Sequence, residues 1–275
     1  MTACATRRLS GAGLLIAALL VWCRDTAWLP DAADTLPLVA GLPLAWWFGG
    51  PWKPLPSPAT GKLKPAAIAA VIAFTGGWLL ASITLLAIAW TALAWCWTRS
   101  FFHPQPRRTR LLWLAILAFP WLVLEWPQLG WWFRLTSAAV AEAVFTLLQM
   151  PVLREGTLLN VMGVPINIEA ACAGWNLLQL TLLAGVAIGA HDVGPARRFG
   201  LYFCLLPVLA WAANLIRILV LSGIALTFDV AMADGAIHGL TGLLVIAATI
   251  AIAKLLAALI SPPATPTTRT VTSAR

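Results

Sequence analysis

Three side chains in this sequence together can run an acyl transfer: Cys172, Arg217 and His238. A thiolate attacks a carbonyl carbon and holds the acyl group as a thioester. An imidazole can take the thiol proton and later return one to the leaving amine. A guanidinium can hydrogen-bond the tetrahedral oxyanion, whose charge grows only in the transition state, and a nearby cation also favours the thiolate. Each of the three sits in or beside a long apolar run. An arginine inside such a run is costly in lipid, so its presence argues for function. Asn214 lies three residues before Arg217, on the same helical face, and can orient the guanidinium or donate to a substrate backbone. Glu169, three residues before Cys172, can tune the site or steer a basic substrate.

Each residue alone has a plainer explanation. A lone cysteine packs as a small apolar filler, and a lone histidine is solvated or satisfied. An arginine near a helix end snorkels to the headgroups, and an asparagine bonds a neighbouring helix. The argument for chemistry is that the elements carrying them place all of them at one depth.

Those elements are membrane helices. Of 275 residues, 61% are apolar and 10% charged, against roughly 25% charged in a soluble domain. The apolar runs lack the alternation of barrel strands, so the expected fold is all-α, a polytopic helix bundle whose segments satisfy their own backbone. About eight spans are expected, at 9–24, 35–51, 66–81, 83–98, 111–128, 173–190, 199–222 and 237–258. The first is read as an uncleaved helix, since no small-residue cleavage site follows it. Residues 1–260 form one transmembrane domain, and 261–275, rich in proline and threonine, form a disordered tail.

Charge placement orients the bundle. The net charge of +8 reads as topology rather than nucleic-acid binding, because basic residues collect on cytoplasmic loops. With both termini cytoplasmic, Arg7 and Arg8, the Lys53–Lys64 group, the Arg99–Arg110 cluster and Arg197–Arg198 all fall on that side. Reading 66–98 as one helix would move the Arg99–Arg110 cluster away from Lys62 and Lys64, so two helices are expected there, broken near Gly76-Gly77 or Ser82. Arg24, Arg134 and Arg154 and most acidic residues then fall outside. The tryptophan pairs Trp46-Trp47 and Trp131-Trp132 match an interfacial belt.

The largest outer connection runs from about Pro127 to Ala171. Its part 137–150 reads as an interfacial or re-entrant helix, and the alternation ending at Glu169 as a short strand or hairpin. This small extracytoplasmic element delivers Cys172 to the outer face. Arg217 lies about 27 Å along its outward-running span, near the same face, and His238 opens the last span there. The five cysteines show no metal-ligand spacing, and neither a metal nor an organic cofactor is expected. His103 and the His191-Asp192 pair fall on the cytoplasmic side. Glu125, beside Trp126-Pro127, reads as structural.

The segment Ala171-Cys172-Ala173-Gly174, followed by Pro207, Asn214-Leu215-Ile216-Arg217 and His238 to Gly242, resembles the exosortase/archaeosortase family over residues 111–259. The family pattern reads A-C-S-G where this chain has Ala173. The resemblance implies a multi-pass membrane cysteine protease/transpeptidase with its Cys, Arg and His on the extracytoplasmic side. It also implies partners: exported proteins whose C-terminal sorting signal joins a short motif, a membrane helix and a basic end. Such a protein would be cleaved, held as a thioester and passed to an acceptor, in the inner membrane of a bacterium making exopolysaccharide. The rival reading is a non-catalytic component or a transporter for exopolysaccharide export. A transporter needs a polar path or paired half-helices, and the spans carry almost no charge besides Arg217.

Overall fold

The computed structural model describes residues 3–29, 32–59, 61–168, 175–228 and 236–261. Its elements, in chain order, begin with α1 (Ala3–Arg24), α2 (Ala32–Gly49), α3 (Lys64–Leu79), α4 (Ile83–Phe101), α5 (Pro106–Leu117), α6 (Trp121–Glu125) and α7 (Pro127–Leu147). Three short strands follow, β1 (Val152–Glu155), β2 (Leu158–Val161) and β3 (Val164–Asn167). Helices α8 (Trp175–Asp192), α9 (Ala196–Thr227) and α10 (Ala236–Ile260) complete the chain. The tail expected to be disordered lies, apart from Ser261, outside the described residues.

Among the described residues three helices are long and apolar enough to cross a membrane: Cys4–Arg24, Ala196–Thr227 and Ile237–Ile260. α9, with 32 residues, is about 48 Å long and exceeds a hydrocarbon core of about 30 Å. The protein is a helical membrane protein, with one small sheet among the described residues.

The run 66–98 divides into α3 and α4. Ala81 takes a positive φ of 55°, and Ser82 caps α4 by accepting a bond from the Leu85 amide at 3.2 Å. The Glu125 carboxylate completes the cap. It accepts from the Thr84 amide at 2.9 Å, from Ser82 Oγ at 3.3 Å, and from the Ile83 amide and Thr84 Oγ1. An anion at a helix start satisfies orphan amides and meets the positive end of the dipole.

The expected span 111–128 is not one helix. It is divided among α5, α6 and the start of α7. Pro120 and Pro127 explain the breaks, since each lacks an N–H and disfavours helix in the residue before it. The freed carbonyls are answered by indoles: Trp22 Nε1 donates to Ala118 O at 2.7 Å and Trp121 Nε1 to Ile116 O at 2.9 Å. The segment 137–150 is likewise no separate interfacial helix. Residues up to Leu147 belong to α7, which begins at Pro127. Gln128 and Arg134 lower the hydropathy there without breaking the helix. Ser137, Ala138, Ala141 and Phe145 form the buried face of α7, and Trp211 Nε1 donates to Thr136 Oγ1 at 3.1 Å, tying α7 to α9.

The expected strand or hairpin is a three-stranded antiparallel sheet in the order β1-β2-β3. Met162 and Gly163, with φ of 54° and 85°, join Val161 to Val164. That pair of positive φ angles suits a two-residue hairpin turn. Leu159 and Val161 are buried, together with Ile168, in a cluster with Ala138 and Ala141 of α7 and Ile218 of α9. The Arg154 Nε bond to Glu142 Oε2 at 2.6 Å fastens β1 to α7.

The main core lies among α5, α8, α9 and α10, around Leu114, Val186, Tyr202, Leu206 and Ala257. α8 and α9 approach closely because Gly185 and Gly189 face Leu206 and Tyr202. A Cβ on Gly185 would stand 2.4 Å from Leu206 Cδ1, and one on Gly189 would stand 2.6 Å from Tyr202 Cε1.

Candidate active site

Two contacts fix the level of each helix start. Gly189 lies on Tyr202, and one turn along each helix Gly185 lies on Leu206, so α8 and α9 run antiparallel. Equal steps from that second contact bring Trp175 level with Ile216, because both helices rise about 1.5 Å per residue. At the other end of the bundle Lys254 Nζ of α10 bonds Asp192 Oδ2 of α8, and the Gly194 amide donates to Ser261 Oγ at 3.3 Å. Equal steps back from Asp192 and Lys254 bring Asn176 level with His238. The start of α8, Arg217 on α9 and the start of α10 therefore share one level.

At that level Arg217 Nη2 and His238 Nε2 stand 2.6 Å apart. A guanidinium has donors only. His238 Nε2 therefore accepts, and the imidazole in this contact is the neutral form with its proton on Nδ1. The guanidinium also lies over Gly242, one turn into α10. A Cβ there would meet Nη2 at 3.6 Å and Cζ at 3.8 Å, an ordinary contact. Gly242 thus leaves a flat shelf under the arginine, a role that spacing alone does not reveal.

Asn214 is fully buried on α9, one turn before Arg217. Arg217 Nε and Asn176 Oδ1 are buried and have no hydrogen-bond partner among the described residues. The same holds for both amide atoms of Gln179, one turn further along α8. Buried polar atoms are usually bonded, so this level carries unused donors and acceptors suited to a peptide backbone or to water. Sequence reasoning passed over Asn176 and Gln179. The available signal was two carboxamides inside the apolar run from Trp175 to Leu183.

Cys172 and Glu169 lie outside the described residues, as does the whole of 169–174. The structure brings together Arg217 and His238, sets Asn214 beside them on α9, and describes the chain on both sides of Cys172. Among the described residues no cluster of His, Cys, Asp and Glu could hold a metal ion. The other histidines are elsewhere: His191 Nδ1 bonds Asp192 Oδ1 at 2.9 Å, and the His103 amide donates to Lys53 O at 3.1 Å.

Comparison with known proteins gives one family. No curated protein and no solved structure matches the chain. The family model for the transmembrane exosortases (Exosortase_EpsH) matches residues 6–255. That match covers almost the whole sequence, including the Arg217–His238 contact and the polar start of α8, and the chain belongs to the transmembrane exosortase family.

Proposed function

We propose that the protein is a membrane-embedded cysteine protease/transpeptidase. It cleaves C-terminal sorting signals of exported proteins at the extracytoplasmic face and passes the product to an acceptor through a thioester. The inner membrane is its site of action, with both termini cytoplasmic. The observation that carries the reading is the contact between Arg217 Nη2 and His238 Nε2 at 2.6 Å, level with the helix that follows Cys172. Covalent geometry adds support: Cys172 is four residues from Ile168, which is buried in the cluster containing Ile218, and four residues reach at most about 14 Å.

In the reaction Arg217 turns to the substrate and frees His238 Nε2, which takes the Cys172 thiol proton as the sulfur bonds to the carbonyl carbon of the scissile peptide. Arg217 donates to the oxyanion. The C–N bond then breaks, and the departing amine takes a proton from the imidazole. His238 is by then the imidazolium formed with the thiol proton, so giving a proton to the amine returns it to its neutral resting form. Attack by the acceptor's nucleophile on the thioester releases the sulfur and completes the transfer. Asn214 orients the guanidinium or donates to the substrate backbone, and Glu169 tunes the site or steers a basic substrate.

The test is mass spectrometry of exported host proteins that end in an apolar helix and a basic stretch. With the wild-type enzyme their C-termini are truncated before the helix. Cys172→Ala should leave them full length, and normal truncation in that variant refutes cysteine catalysis.

A further inference from the structure

Helices α1, α2, α4 and α5, none of which carries Arg217 or His238, enclose a groove of about 690 Å³. Its walls are apolar, with Leu14, Ala18, Trp90, Ala94, Leu111 and Ala115 among the lining. Leu15, Leu19, Val39 and Trp46 line it as well and are exposed on the outside of the bundle, so the groove is open sideways, to lipid. One end differs. Arg108 lines the groove there and is only 6% exposed.

The Arg108 guanidinium bonds neutral groups alone. Nε donates to Gly49 O at 2.9 Å, Nη1 to His103 O at 2.6 Å, and Nη2 to Pro51 O. It stands 4.5 Å above the Trp52 ring. Three of its five N–H groups are used, and one on each terminal nitrogen remains. A second cation lies close by: Arg7, which does not itself line the groove, and Arg108 both stand over the Phe102 ring, at 5.7 and 6.0 Å. Buried charge is normally paired, yet among the described residues no carboxylate lies within ion-pair distance of either arginine. The sequence accounts for this: it has no Asp or Glu before Asp25, and none between Asp34 and Glu125. These four helices supply an apolar slot and two neighbouring cations, and no anion at that end.

We propose that the groove seats an acyl chain of an anionic membrane phospholipid, whose phosphodiester is held by Arg108 and Arg7 beside Phe102. The volume fits a small-ligand site, for which about 300–1,000 Å³ is usual. The second chain of the lipid remains in the bilayer through the lateral opening. A diester phosphate matches the geometry of guanidinium donors, and it compensates both charges without drawing on the protein's own acids. The site does not depend on the proposed reaction, since its helices are not those of the catalytic residues.

The experiment uses the full chain, delipidated in mild detergent, and reads tryptophan fluorescence. Trp22, Trp46, Trp52, Trp90 and Trp97 line the groove, so a brominated acyl chain seated there quenches them. Brominated phosphatidylglycerol should quench saturably, with a half-saturation at least tenfold lower than that of brominated phosphatidylcholine. Arg7→Gln, which leaves the three carbonyl bonds of Arg108 intact, should raise the phosphatidylglycerol half-saturation several-fold and leave that of phosphatidylcholine unchanged. Equal quenching by the two phospholipids overturns the proposal. So does an unchanged response in Arg7→Gln, or a brominated fatty acid that binds as tightly as phosphatidylglycerol.

Discussion

His238 Nε2 accepts a hydrogen bond from Arg217 Nη2, so the arginine selects the tautomer of the histidine. The imidazole proton is thereby assigned to Nδ1. In nitrogen-15 spectra of histidine-labelled protein, with His103 and His191 replaced, the His238 signals should be those of the neutral Nδ1–H form. Arg217→Lys keeps the charge but loses the planar fork. It should lower the processing rate by about 10²–10³-fold, the usual effect of removing one oxyanion donor, with little change in thermal stability. Spectra of the Nε2–H tautomer in the wild type would show that the contact is not formed.

Gly242 provides the shelf under the guanidinium. Gly242→Ala places its Cβ at ordinary contact distance and should retain most activity. Gly242→Leu must push the guanidinium off His238, and should reduce processing at least tenfold while the protein remains folded. Equal activity in the two variants would mean that the arginine works from another position.

The α8–α9 contact sets the register that levels the helix starts. Gly185→Ala places a Cβ against Leu206, and overpacking of this kind costs about 1–3 kcal/mol. A lower unfolding temperature in detergent is expected, together with reduced processing, since α8 leads directly from Cys172. Gly194→Ala meets nothing within 4 Å and should be neutral in both assays.

Asp192 provides a pH test at the opposite end. Burial alone would raise its carboxyl, but hydrogen bonds from Lys254 and His191 outweigh that and hold it below the ordinary carboxylate range. A carboxylate depressed in the folded state stabilises above its unfolded pKa of about 3.9, and this contribution is lost as the pH falls through the folded value. Wild-type stability should therefore decline as the pH drops below about 4. Asp192→Asn should be less stable at pH 7 and should show a shallower decline. Parallel curves for the two proteins would show that the Lys254 contact contributes nothing.

Much of the helical frame was legible because hydropathy and charge report on it directly. The division of 66–98 followed from its length and its flanking basic residues, and Ser82 ends the ambiguity as a cap. The run 111–128 was misread because hydropathy does not register proline, and Pro120 breaks a segment whose composition is uniformly apolar. The extent of α7 was obscured in the opposite way, by the polar residues Gln128 and Arg134 inside a continuous helix. Alternation near Ile166 pointed to a strand, while β1 was hidden because Leu153 is exposed although apolar. At the site, residue type alone marked Arg217 and His238. Their contact, the shelf at Gly242 and the buried amides of Asn176 and Gln179 depend on helix register, which no local pattern encodes.

The central claim is that Cys172 carries the substrate as a thioester beside the Arg217–His238 pair. Hydroxylamine intercepts such an acyl group and leaves a hydroxamate at the new C-terminus. Added to membranes of wild-type cells, it should yield truncated exported proteins ending in a hydroxamate, and Cys172→Ala membranes should yield none. Truncation that proceeds without any hydroxamate, or hydroxamate that forms equally in Cys172→Ala, would contradict acyl transfer through this residue.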